Sequence, residues 1–120
     1  MLAKANHLRK ASDITRVYKR GSYGAGGGLF SLKAARTGSA ASRAVVVVSK
    51  KVAKRAVVRN RIRRRLAAFL QEIWTTVPDG YDIVISVHAA EAAELPANEL
   101  RGKMAGALRA ARVTGLNPKD

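Results

Sequence analysis

The chain has no cysteine among its 120 residues. A disulfide framework, a thiolate zinc site and a thiol nucleophile are therefore excluded, and a reducing compartment is expected. Carboxylates are nearly absent from the first part of the chain: residues 1–71 hold Asp13 and no other acid, against 18 Lys/Arg. Aromatic residues make up 5% of the chain, too few for an extensive stacking platform. No apolar run approaches the ~20 residues of a membrane-spanning helix. Residues 1–10 lack the apolar core of a secretory signal. A cytoplasmic chain with no membrane partner is the expectation. The two histidines, His7 and His88, lie far apart, and no GxSxG, HExxH or paired-His spacing occurs. A carboxylate-built metal nuclease would have to draw on Asp79, Asp82, Glu91 or Glu94, all outside the cationic part. Catalysis by the chain alone is not expected, and no catalytic or metal-ligating residue is assigned.

What is present is positive charge, unevenly placed. The formal net charge is +15, with a pI near 11.3. Residues 72–120 carry 5 Lys/Arg and 7 Asp/Glu, so the imbalance belongs to the first 71 residues. It peaks in residues 50–65, where nine cations and no acid surround Asn60. A solvated helix face normally mixes both signs. Like charges three and four residues apart cost tenths of a kcal/mol per pair and add no packing. A polyanionic partner removes that cost, and nucleic acid is the first candidate. Six of the nine cations are arginine, whose planar fork grips phosphate oxygens two at a time.

At this length one domain over residues 1–120 is expected, with a modest core. Residues 8–20 read as an amphipathic helix with Ser12 as N-cap, Ile14, Val17 and Tyr18 on its apolar stripe, and Gly21 as its stop. Residues 24–28, four of them glycine, read as a connector; they match neither a P-loop nor a GxGxxG fingerprint. Residues 29–34 predict a first strand and 37–42 a turn. The β-branched run at 44–49 predicts a strand buried on both faces. Residues 56–75 predict the long helix: Val58, Ile62, Leu66, Phe69, Leu70 and Ile73 form a stripe about 120° wide, suited to packing on a sheet. Asn60 and Arg64 point away from that stripe, and Arg59 and Arg65 lie near its borders. A turn at 78–80, a strand at 81–88, a connector at 89–95 and a helix at 98–113 complete the chain, with Gly115 as the final stop. Gly102 and Gly106 suggest close packing of that helix. The order helix, strand, strand, helix, strand, helix predicts a layered α/β (α+β) domain with a parallel strand pair.

The basic helix follows a strand rather than a partner helix, which argues against a helix-turn-helix. A sheet with Tyr18, Phe30 and Leu32 along one rim suits unstacked bases of a single strand. Three functions fit the charge: a structural ribosomal or general single-stranded RNA-binding protein, a metal-dependent nuclease, and the reading that follows from one sequence block.

Residues 49–52 (Ser-Lys-Lys-Val), followed by residues 55–66 (Arg-Ala-Val-Val-Arg-Asn-Arg-Ile-Arg-Arg-Arg-Leu), resemble the signature of the bacterial ribonuclease P protein subunit. Its RNR motif falls on Arg59, Asn60 and Arg61. Residues 8–21 resemble the family's first helix and closing glycine, and residues 81–85 its later strand. Ile14 stands where the family usually has Phe, and Ala53 where it often has Gly. The resemblance implies a two-layer α/β sandwich with a small mixed sheet and a left-handed βαβ crossover through the basic helix. It implies an endonuclease subunit of a ribonucleoprotein that removes the 5′ leader of precursor tRNA, with the active site in the RNA. The partners implied are the ribonuclease P RNA, one protein per RNA, and precursor tRNA; the cofactors are that catalytic RNA and Mg2+ bound mainly by it. Carried over by motif, Lys50, Lys51, Lys54, Arg55, Arg59, Asn60, Arg61, Arg63, Arg64 and Arg65 would face the catalytic RNA. Ile14, Tyr18, Phe30 and Leu32 would line the leader-binding cleft.

Overall fold

The structure is a computed structural model, and it describes residues 3–38 and 41–113. Helix α1 (Ala11–Arg20) is followed by strands β1 (Ser22–Gly26), β2 (Phe30–Arg36) and β3 (Arg43–Val47), helix α2 (Ala56–Ile73), strand β4 (Tyr81–Val87) and helix α3 (Ala97–Ala110). The four strands form one mixed sheet in the order β1-β2-β4-β3. β1 with β2 and β2 with β4 are antiparallel, whereas β3 and β4 are parallel neighbours joined through α2. The result is the expected mixed α+β fold, with one strand more than the sequence pattern predicts.

Strand alternation sorts the side chains onto two faces. Phe30, Leu32 and Ala34 of β2 and Ile83, Ile85 and Val87 of β4 pack with Ile62, Leu66, Phe69 and Leu70 of α2 and Leu100, Met104 and Leu108 of α3. On the opposite face, Ala35, Val45 and Val84 pack with Leu8, Ile14 and Val17, so α1 covers one end of that face. β4 is apolar on both sides because it lies inside the sheet with a helix on each face. The run at 44–49 resembles it in composition but not in position. β3 is an edge strand, with Val45 and Val46 half-buried and Val47 37% exposed, which corrects the doubly buried expectation. Its β-branched residues suit the parallel ladder with β4, and its outer rim is met by the start of the chain, where Leu8 N–H donates to the Ala44 carbonyl.

The unpredicted strand β1 contains two of the four glycines that argued against it, Gly24 and Gly26. α3 crosses it so closely that a Cβ on Gly24 would lie 2.0 Å from the Ala107 carbonyl oxygen. Tertiary packing therefore outweighs poor strand propensity here. Gly27 and Gly28 make the turn into β2, with φ of +65° and +82°. Gly102 and Gly106 do the opposite of what was expected: both are exposed, and a Cβ added at either would meet no other part of the fold within 4 Å. Helix α1 begins at Ala11, with Lys10 at the N-cap and no side-chain cap, so Ser12 lies inside the helix. Helix α3 ends before Gly115, a residue outside those described. It closes with Arg112 in the left-handed region (φ 62°) and Val113 N–H donating to the Leu108 carbonyl at 3.0 Å.

One buried charge pins the second face. Asp82 of β4 is fully buried and receives Arg43 Nε and Nη2 at 2.9 and 2.7 Å. Arg43 also lies 3.4 Å from Asp13 of α1, and Asp13 accepts from Arg16 at 3.0 Å. The bond to Asp82 holds the Arg43 guanidinium above the ordinary arginine range against the opposing effect of burial. Removing one partner of a buried pair strands the other. Asp82→Ala is expected to destabilise the fold by about 3 kcal/mol, the low end for buried pairs because Arg43 is partly hydrated. Urea unfolding of the variant, with Asp82→Asn as the isosteric control, measures this; a loss below about 1 kcal/mol contradicts it.

Candidate nucleic-acid interface

The apolar stripe of α2 decides which cations face outward. Ile62, Leu66, Phe69 and Leu70 are buried against the sheet. Asn60, Arg61 and Arg64 are exposed on the far side, and Arg63 is half-buried between. Lys50, Lys51, Lys54 and Arg55 are exposed in the loop that leads into the helix. No acid lies in the first turn of α2, so basic residues meet the positive end of the helix dipole. The single acid of the cationic part, Asp13, is engaged by Arg16 and Arg43 and does not offset this surface.

Three of the arginines have work inside the fold. Arg59 Nη1 donates to the carbonyls of Ala53 and Lys54 at 2.9 and 2.8 Å, folding the basic loop back onto the helix. Arg63 Nη1 donates to Asn60 Oδ1 at 2.5 Å. Arg65 reaches the Ala92 carbonyl at 2.9 Å and also the Leu95 carbonyl, clamping the β4–α3 connector to α2. Of the ten residues expected to face the catalytic RNA, these three also bond within the chain. Arg65 is a clamp and Arg59 a loop organiser. Lys50, Lys51, Lys54, Arg55, Asn60, Arg61 and Arg64 form the outward surface, with Arg63 at its border.

The other predicted group does not come together. Phe30 and Leu32 are 1% and 0% exposed in the core beneath α2 and α3, so they cannot line an open cleft. Ile14 and Tyr18 lie on the opposite face of the sheet, half-buried and 41% exposed. The error is one of strand parity: with Phe30 and Leu32 turned to the core, Ser31 and Lys33 must occupy the other face. There Ser31 Oγ meets His88 Nε2 at 2.8 Å, Tyr18 OH meets Ser86 Oγ at 2.9 Å, and Lys33 Nζ donates to the Tyr18 carbonyl at 2.7 Å. Tyr23 pairs in register with Lys33 and is 58% exposed. With Tyr18 reaching over from α1, this half of the sheet presents two tyrosines, hydroxyls, an imidazole and an ammonium. The alternation of β2 was the signal that could have found Ser31 and Lys33. Ser86, His88 and Tyr23 join them only through sheet register.

A cation-covered helix beside an open, partly aromatic sheet face on a small α+β scaffold defines a protein built for RNA. The family model for ribonuclease P matches residues 2–112. The chain belongs to the ribonuclease P protein family, and its function is that of a ribonuclease P protein component. It is 37% identical over 87 residues to the ribonuclease P protein component of Pseudanabaena sp. (strain PCC 6903), covering 72% of this chain and 75% of the relative. It is 36% identical over 102 residues to that of Cyanothece sp. (strain PCC 7425 / ATCC 29141), covering 72% and 78%. The fold matches the RNase P protein of Staphylococcus aureus with a TM-score of 0.79 at 24% identity, over 92% of this chain and 99% of that one. Among the described residues no helix is long and apolar enough to cross a membrane.

The division between clamp and surface is testable by stability alone. Arg65→Ala removes charged hydrogen bonds to carbonyls and is expected to cost about 1.5–3 kcal/mol in denaturant unfolding. Arg61→Ala and Arg64→Ala are expected to stay within about 0.5 kcal/mol of the parent. Equal effects at the three positions contradict the assignment.

Proposed function

We propose that the two faces bind two different RNAs: the α2 surface docks the catalytic RNA of ribonuclease P, and the open sheet face takes the single-stranded 5′ leader of precursor tRNA. The observation that carries this is the segregation of cations. Arg61 and Arg64 project from α2, and four more cations from the loop before it, with no acid among them. Such a surface suits an extended phosphate backbone, since guanidinium groups bind phosphate bidentately and the gain grows with each contact. The sheet face suits a flexible single strand instead. Tyr18 and Tyr23 offer ring faces to bases, and Lys33 and the hydroxyls of Ser31 and Ser86 meet phosphate or 2′-hydroxyl groups. β3 runs from this face into the loop at 50–54, so the two surfaces adjoin at one end of the sheet.

In this reading hydrolysis takes place on the RNA, and the protein lowers the repulsion between two polyanions that must approach each other. In the same reading magnesium ions are held mainly by the RNA. The side chains of this chain bind and position the two RNAs. A general RNA-binding role explains the charge equally well but not the RNR block or the family match.

Reconstitution with a bacterial ribonuclease P RNA at low magnesium tests the proposal. The protein is expected to raise precursor-tRNA cleavage well above that of the RNA alone, and no gain contradicts it. Tyr18→Ala with Lys33→Ala is expected to weaken binding of leader-bearing substrate by about tenfold while assembly with the catalytic RNA is kept, since one stacked base contributes about 1–3 kcal/mol. Arg61→Ala with Arg64→Ala is expected to weaken assembly and to lower its salt dependence by about one log–log unit per lost phosphate contact. The same loss from both pairs contradicts the division into two faces.

A further inference from the structure

A cavity of about 190 Å³ lies between α2 and the outer rim of β3, at the border of the α2 surface just described. Leu8, Val46, Ala67 and Leu70 make it apolar, and Arg63 and Arg64 stand in its lining on the side of the basic helix. Leu8 and Leu70 are buried, so the cavity reaches the core. Its back is the edge of the sheet. Ala44 bridges His7 there, and among the described residues no strand pairs along the rest of that rim. Strand geometry turns the amide and carbonyl of Val46 to the same side as those of Ala44, two residues earlier.

The ligand class follows from size, polarity and charge together. The volume holds several waters at about 30 Å³ each and falls below the ~300 Å³ of a drug-sized pocket, so it suits one flat ring system. The apolar walls favour a ring over a sugar or a phosphate. The Val46 peptide group offers one donor and one acceptor, which is what the edge of a nucleobase requires. The two guanidinium groups suit the phosphates on either side of such a base. A peptide carrying an apolar side chain fits the slot, but the cations extend from it along α2 and into the loop at 50–55, matching a continuous backbone of negative charge.

We propose that this cavity is a nucleobase pocket, in which one unstacked base of the RNA docked on α2 inserts between Leu8, Val46, Ala67 and Leu70 with its phosphates on Arg63 and Arg64. The inference rests on α2 being the RNA-docking surface. It adds that docking is not electrostatic alone: one nucleotide is taken out of its stack and read at its edge.

Ala67→Leu fills the cavity from α2 without removing a cation. With the full chain and a bacterial ribonuclease P RNA, Ala67→Leu is expected to weaken binding about tenfold or more, the effect of losing one stacked base, with an unchanged salt slope. Parent-like binding by Ala67→Leu, while Arg61→Ala binds weakly, overturns the pocket and leaves the docking surface standing. Parent-like binding by Arg61→Ala with Arg64→Ala overturns the docking surface and the pocket with it. A second measurement on the unmutated chain does not depend on how Ala67→Leu folds. Methyl resonances of Leu8, Val46 and Leu70 are followed during titration with AMP, GMP, CMP and UMP and, separately, with ribose 5-phosphate and an acidic leucine-containing peptide. Shifts with a mononucleotide but not with ribose 5-phosphate or the peptide support the pocket. Equal shifts with either control, or none with any nucleotide, overturn it.

Discussion

Repulsion among the arginines of α2 is the constraint around which this fold is arranged. Arg59 with Arg63, Arg61 with Arg65, and Arg61 with Arg64 fall at helical neighbour spacings, each unfavourable by a few tenths of a kcal/mol. Against this, burial of each of Ile62, Leu66, Phe69 and Leu70 contributes about 1.5–3 kcal/mol. The apolar stripe wins comfortably, so the helix forms without a counterion. The repulsion is not removed by folding, and it remains as a surface free to be neutralised.

The rest of the molecule keeps that surface in place. Arg59 and Arg65 turn inward to backbone carbonyls on either side of the helix, tying down the loop before β3's successor helix and the connector after β4. Arg43 and Asp82 fasten β3 to β4, the two strands that α2 joins. Asp13 brings α1 to the same pair, so the few acids near the cationic part serve the scaffold and leave the outer face of α2 uniformly positive. α1 covers one end of the second sheet face and leaves the other open. A rigid positive helix and a neighbouring open sheet are therefore consequences of one packing arrangement.

Much of this was legible in the sequence, for stated physical reasons. The stripe from Val58 to Ile73 has helical period and the strand at 81–88 a continuous apolar run; both signals are local, and both elements form where expected. The RNR block was specific enough to point to the family. What failed depended on partners distant in sequence. Gly24 reads as a loop residue until α3 lies across it. Val47 reads as core until β3 is found at the edge of the sheet. Phe30 and Leu32 carried the right periodicity but were assigned to the wrong face, which only the position of α1 resolves. Arg65 cannot be told from Arg64 by composition; its role is visible once Ala92 and Leu95 are beside it.

The central claim is that RNA phosphate neutralises a surface the fold leaves charged, and the most direct measurement is the salt dependence of binding between the parent protein and a bacterial ribonuclease P RNA. Five or more neutralised phosphates predict a log–log slope of about −4 or steeper, at roughly −0.7 to −0.9 for each. A slope near zero, with affinity retained as salt rises, would contradict the account.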